Sequence, residues 1–425
     1  KCCIVKCFPE KRTLLKCCCF NLTYYKIFVL QTIFTVGFHF FDIGSDIAVL
    51  VDLNQKKSEY QTKSFPDWEA MANKLIERSD LLEGEKVVLM AQPGKFDPLI
   101  KVLVKKIKKT GAIYLGSFSV DSLIKPVDWE TDFIKKAKGK SIEDLTDHLM
   151  QVDLGIMLPG SNPTHIEYKC MQNVLKKEKG RTIHFHWSGA YNLNGEAIVI
   201  NDLKDEYYQK VFLETDYSKL GKIQRHFENA LRNNWVTVTT PEGTNIKFKI
   251  GNRPVTKQDG NASSKREQQM NLIDREIELP SGAIRVAPIE NSVEGKIAFP
   301  DSFWGNEKVE DLSLIFSSGK VTEIKSNLGG QAVKKELDAA GEAGYSFREF
   351  ALGFNPLLAI PEEKPWIPYY GYGAGVVRLS LGDNSELGGN VKGGYVRWNF
   401  FTNATVKVGD DIWVKGGKFL KSDNF

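Results

Sequence analysis

No histidine follows position 226 in this 425-residue chain; all six (His39, His148, His165, His184, His186 and His226) lie at or before it. The chain beyond His226 therefore has no imidazole to serve as a general base or metal ligand. With no nucleophile-elbow sequence present, Ser-His-Asp and Cys-His arrangements find no support. Cysteine is almost absent from the body of the chain. Six of seven fall in the first 19 residues (Cys2, Cys3, Cys7, Cys17, Cys18 and Cys19), leaving Cys170 alone. This excludes a disulfide-stapled scaffold and suits a reducing compartment, so a cytoplasmic location is expected. The N-terminal cysteine runs have no histidine nearby to complete a zinc-finger spacing. Charge of one sign is also scarce: a net +4 gives no argument for nucleic acid. The basic run at 105–109 reads as a solvated helix face rather than a phosphate-binding stripe. A GxGxxG loop is missing after the first strand, where Gln92-Pro93-Gly94 stands, so no nicotinamide cofactor is expected.

Long apolar runs are lacking too. Residues 27–41 carry no charged side chain, but these 15 residues fall short of the roughly 20 a spanning helix needs. The first methionine is Met71. Residues 1–64 fit a leader or membrane anchor (with export as the alternative location), a genuine extra segment, or a spurious extension.

From residue 65 onward the pattern is regular. Trp68, Met71, Leu75 and Ile76 recur at helical spacing, and 86–90 is an apolar strand. A helix with Leu99, Ile100, Leu103, Val104 and Ile107 inside comes next, then strands at 112–116, 152–157 and 182–187 and a helix at 166–175. Alternation of helices with apolar strands predicts an α/β N-terminal domain with a mainly parallel sheet over 65–230, closed by a helix at about 217–233. Past that point the rhythm becomes β-rich. Strand-like segments at 235–239 and 245–249 flank Pro241-Glu242-Gly243, a hairpin signature, and a second domain is expected over 231–425.

Three C-terminal stretches carry the functional inference: Leu-Pro-Ser-Gly-Ala-Ile-Arg-Val at 279–286, Arg-Glu-Phe-Ala-Leu-Gly-Phe-Asn-Pro at 348–356, and Val-Val-Arg-Leu-Ser-Leu-Gly-Asp-Asn at 376–384 followed by Val-Arg-Trp-Asn-Phe at 396–400. With Thr-Pro-Glu-Gly-Thr at 240–244 and Gly-Lys-Phe-Leu at 417–420, their order and spacing resemble the thermophilic metalloprotease family of leucyl aminopeptidase T-like enzymes. The resemblance runs from about residue 65 to the end. It implies a β-rich α+β aminopeptidase-type second domain, a homodimer, and a two-metal centre of cobalt or zinc that activates water to remove an N-terminal residue from a peptide.

Carried over position by position, that centre is depleted. The first ligand glutamate falls on Ala283 and the second is retained as Glu349. One histidine falls on Arg378, the catalytic tyrosine on Ser385, and the last histidine and aspartate on Arg397 and Asn399. A guanidinium stays protonated and cannot bind a metal. No bound metal is therefore expected, although Glu278, Glu290, Glu294, Glu342, Asp383 and Glu386 leave open an all-carboxylate site. Two outcomes follow for Arg378, Arg397 and Glu349: they satisfy one another as an inert polar core, or a free guanidinium, with Asn399 and Ser385, receives a peptide or small carboxylate. The alternative is an active metallo-aminopeptidase with an altered site. His184 and His186, on one side of a strand, form a further candidate metal pair. The glycines at 371–375 read as strand-entry residues rather than a phosphate loop. The aromatic run 365–370 lines a pocket or seals a dimer contact.

Overall fold

The computed structural model describes residues 66–421 except 122, 188, 201–203, 268–274 and 364. The six N-terminal cysteines and the uncharged segment 27–41 lie outside the described residues. The strand Lys86–Ala91 is buried along five of its six positions, and its side chains alternate between two cores. Val87, Leu89 and Ala91 join the larger one, while Val88 and Met90 join a smaller cluster with Phe118, Ile134, Leu149 and Met171. Helices on both sheet faces are what this double burial requires. One is Asp97–Lys109, which turns Leu99, Ile100, Leu103 and Ile107 inward. Fully burying each such side chain stabilises the fold by about 1.5–3 kcal/mol.

Five parallel strands run in the order Ile113–Ser119, Lys86–Ala91, Leu154–Met157, Arg181–Phe185 and Glu276–Leu279. The helix Tyr217–Asn233, capped by the Asp216 carboxylate accepting from Lys219 N, precedes Val236–Thr239, the strand that opens the large antiparallel region. The expected division at residue 230 is crossed by the chain, because Glu276–Leu279 returns to complete the parallel sheet. Residues 64–425 form one compact unit.

The antiparallel part consists mainly of two sheets. One orders Val396–Arg397, Val377–Gly382, Phe347–Gly353, Ala283–Val286 and Val255–Lys257, with Phe400–Phe401 also paired to Val377–Gly382. The other has eight strands and includes Asn245–Phe248, Glu294–Ala298 and Ser313–Ser317. Phenylalanines join the two sheets: Phe350 lies 5.2 Å from Phe248, and Phe347 lies 5.9 Å from Phe316 between ring centroids. The fold is thus a parallel α/β layer followed by a β-rich region, the architecture the alternating and then strand-rich sequence predicts. No helix among the described residues is long and apolar enough to cross a membrane. Cys170 is buried with a free thiol.

Candidate functional site

The strand Phe347–Gly353 contains a bulge. Phe347 faces Leu381 while Glu349 faces Ser380, so Arg348 is one residue too many for its neighbour. The extra residue resets the alternation. Phe347 and Phe350 both reach the phenylalanine layer, and Glu349 turns to the opposite face. Register then supplies Glu349 with partners. Ser380 lies directly across, and Arg378 and Arg285 both face Ala351, which makes each a diagonal neighbour of Glu349.

The outcome is a buried carboxylate within three guanidinium groups. Glu349, fully buried, accepts from Arg378 Nε at 2.8 Å and Ser380 Oγ at 3.3 Å on one oxygen. The other accepts from Arg348 Nη1 at 2.8 Å and from Arg285 Nε and Nη2 at 3.3 and 3.1 Å. Burial alone would raise the Glu349 pKa, but Arg285, Arg378 and Arg348 overcome it and hold the carboxyl well below its usual range. Glu386, with a side chain 55% exposed, closes the cluster from outside, accepting from Arg285 Nη2 at 3.1 Å and from Arg348 Nη2. Three cations thus face two carboxylates. Arg348 Nε is buried and has no hydrogen-bond partner.

Arg285, Arg348 and Glu386 line a cleft of about 770 Å³, with Glu276, Glu278 and Asp383 on its walls. The chain itself explains this placement, since Glu276–Leu279 leaves the parallel sheet and enters Ala283–Val286 of the antiparallel one within a few residues. Burial raises the Glu278 carboxyl pKa against the pull of Arg285, and Tyr372 donates its hydroxyl to it.

Of the residues singled out from sequence, the structure brings together Glu349 and Arg378. Arg378 also donates to the Tyr370 carbonyl at 3.1 Å and lies 4.7 Å over the Trp398 ring. Arg397 is held elsewhere. It pairs with Glu336 at 3.0 Å, donates to the Phe303 carbonyl at 2.9 Å and stacks 3.6 Å over Trp304. The expectation of two arginines sharing Glu349 is corrected accordingly: the second and third guanidinium groups are those of Arg285 and Arg348. Asn399 donates to the Leu379 carbonyl at 3.0 Å, a strand contact. Ser385 lines the cleft and hydrogen-bonds Asp383 at 2.6 Å. Ala283 is buried beside Gly353 and offers no side-chain donor. Sequence reasoning missed Arg285 and Arg348. Arg285 had a usable signal, because it shares a strand face with Ala283 two residues earlier.

A second polar cluster lies at the end of the parallel sheet. His184 Nδ1 is 2.9 Å from Glu276 and 2.6 Å from the Tyr168 hydroxyl. Gln172 donates to the other Glu276 oxygen at 2.6 Å. Burial would raise the Glu276 pKa, but His184, with help from Gln172 and Arg285, brings it down to about 2. His186 is the neighbouring ring, 5.9 Å from His184, and burial pushes its pKa down to about 3.

Among the described residues, no group of three or more His, Cys, Asp or Glu side chains stands where it could hold a metal ion. Ala283 has no side-chain donor, and a dication beside Glu349 would meet three guanidinium groups. The sequence matches no family model and no curated protein. Solved structures that resemble the fold include the following two. The 2,5-dihydroxypyridine dioxygenase of Pseudomonas putida has a TM-score of 0.56 at 15% identity, over 83% of this chain and 97% of its own. AmpT from Thermus thermophilus, a thermophilic aminopeptidase, has a TM-score of 0.51 at 15% identity, over 83% of this chain and 98% of its own. The chain thus has a fold distantly like that of an aminopeptidase, and a likeness this remote extends to the fold alone.

Proposed function

We propose that this chain is a divergent relative of the metallo-aminopeptidases in which arginines stand in for metal ions and bind a peptide or small carboxylate. One observation carries the reading: three guanidinium groups converge on the retained Glu349, and two of them, Arg285 and Arg348, also line the cleft. Glu349 and Arg378 form the buried floor. The ligand carboxylate takes the place of the exposed Glu386 and is held by Arg285 and Arg348 through charge-assisted hydrogen bonds. This assigns the contacting role to Arg285 and Arg348, while Arg378 positions Glu349.

The test is calorimetric titration with leucyl-leucine and with its C-terminal amide. The free acid is expected to bind at least tenfold more tightly, the difference a charge-assisted hydrogen bond makes. Arg285→Gln or Arg348→Gln should remove that preference, and Arg397→Ala should leave it intact. Equal affinity for acid and amide, or no binding of either, refutes the reading. Near-stoichiometric cobalt or zinc after dialysis, with turnover of leucyl substrates, would instead support an active metallo-aminopeptidase.

A further inference from the structure

In the parallel sheet, the chain passes from Lys86–Ala91 to Ile113–Ser119 on one side and then places Leu154–Met157 on the other. The loops after the first and third strands therefore diverge, and a crevice opens outside their carboxyl ends, the usual ligand position in open α/β sheets. A cavity of about 430 Å³ lies there, a size suited to a small molecule. Its aromatic wall comprises Phe96, Trp187 and Tyr370. Lys204 also lines it, half-buried and without an ion-pair partner among the described residues.

His184 is the unusual member of this lining. It is 1% exposed, and its Nδ1 edge is taken by Glu276 and Tyr168. Both Nδ1 contacts lie on one edge of the ring, and Nε2, on the opposite edge, is buried without any hydrogen-bond partner. A buried ring nitrogen left unpartnered is costly, and a partner in the cavity that His184 lines would offset that cost.

We propose that this cavity is a second binding site, for a small planar acid carrying a hydroxyl. The hydroxyl meets His184 Nε2, the ring lies among Phe96, Trp187 and Tyr370, and the acid group meets Lys204. Glu276 and Tyr168 act as positioning residues that fix the imidazole. No guanidinium group of the arginine cluster lines this cavity.

The experiment titrates the full chain with 4-hydroxybenzoate and with benzoate, which lacks the hydroxyl. The hydroxy acid should bind about fivefold more tightly, the contribution of one neutral hydrogen bond. His184→Gln should abolish that ratio. Lys204→Gln, a change at a half-buried position, should weaken both acids while preserving it. In the unaltered protein, the His184 Nε2 resonance should move with 4-hydroxybenzoate and stay fixed with benzoate, which guards against a variant that fails to fold. No binding of either acid, equal affinities, or a ratio that survives His184→Gln would each overturn the proposal, and an ordered water as sole occupant would do the same. Arg348→Gln should leave both affinities unchanged, so failure here and failure of the arginine reading are distinguishable.

Discussion

Glu349 has a structural role that can be measured apart from any ligand. Its charge is shared by three guanidinium groups in a site closed to solvent. Glu349→Gln keeps the shape and removes the charge, leaving the arginines to repel one another. The expected loss is about 3–5 kcal/mol of folding stability, read from urea denaturation. Adding Arg348→Gln to that variant should recover about 1 kcal/mol or more, because one of the repelling cations is then gone. A double variant weaker by the sum of both single losses would mean the arginines do not feel one another. Arg397 makes the contrasting case. Its stacking on Trp304 and its pair with the partly exposed Glu336 predict a loss of about 1–2 kcal/mol for Arg397→Ala, again by urea denaturation.

At the scale of elements, the Phe347–Gly353 strand is the spine of the site, and all seven of its residues are buried. It ends where backbones touch: a Cβ added at Gly353 would land against the Gly373 carbonyl oxygen and 2.7 Å from the Tyr372 carbonyl carbon. Neither is a side chain that can swing aside, so Gly353→Ala should cost about 1–3 kcal/mol through overpacking. It should also loosen amide protection along Val377–Gly382, the neighbouring strand, in hydrogen exchange. Unchanged protection there would show that the loop can retreat. The same strand shows what sequence can and cannot disclose. Apolar runs and helical spacing announced Lys86–Ala91, the helix Ile166–Lys176 and the helix Tyr217–Asn233 because each is dictated by local burial. Glu349 was legible through the motif around it. Arg348 was not, because the bulge that turns it toward Glu349 depends on how two strands pair. Glu276 was hidden for a similar reason. It reaches His184 only because Glu276–Leu279 joins a sheet whose other strands end at Phe185, far earlier in the chain.

Across the whole molecule, these buried groups make stability depend on pH in a defined order. The folded pKa of His186 is about 3 against an ordinary 6.5, so between those values the unfolded chain takes up a proton that the folded chain refuses. Stability should therefore fall as the pH drops below about 6.5, by about 1.4 kcal/mol per pH unit for that one proton. Glu276, at about 2 against 4.5, and Glu349, lower still, act in the next window. Their stabilisation is complete above about 4.5 and is lost as the pH falls toward their folded values, which steepens the decline. Glu278, with its carboxyl pKa raised, works in the opposite direction just above 4.5, where the folded chain takes up the proton first, and so offsets part of the first phase rather than the second. His186→Gln separates the two windows, since it removes the titrating imidazole and leaves the carboxylates in place. Urea denaturation from pH 8 to pH 4 should show the variant flatter between 6.5 and 4.5, with the same steep fall below. An unaltered slope in the upper window would mean that His186 is not held neutral by burial, and the acid sensitivity would then rest on the carboxylates alone.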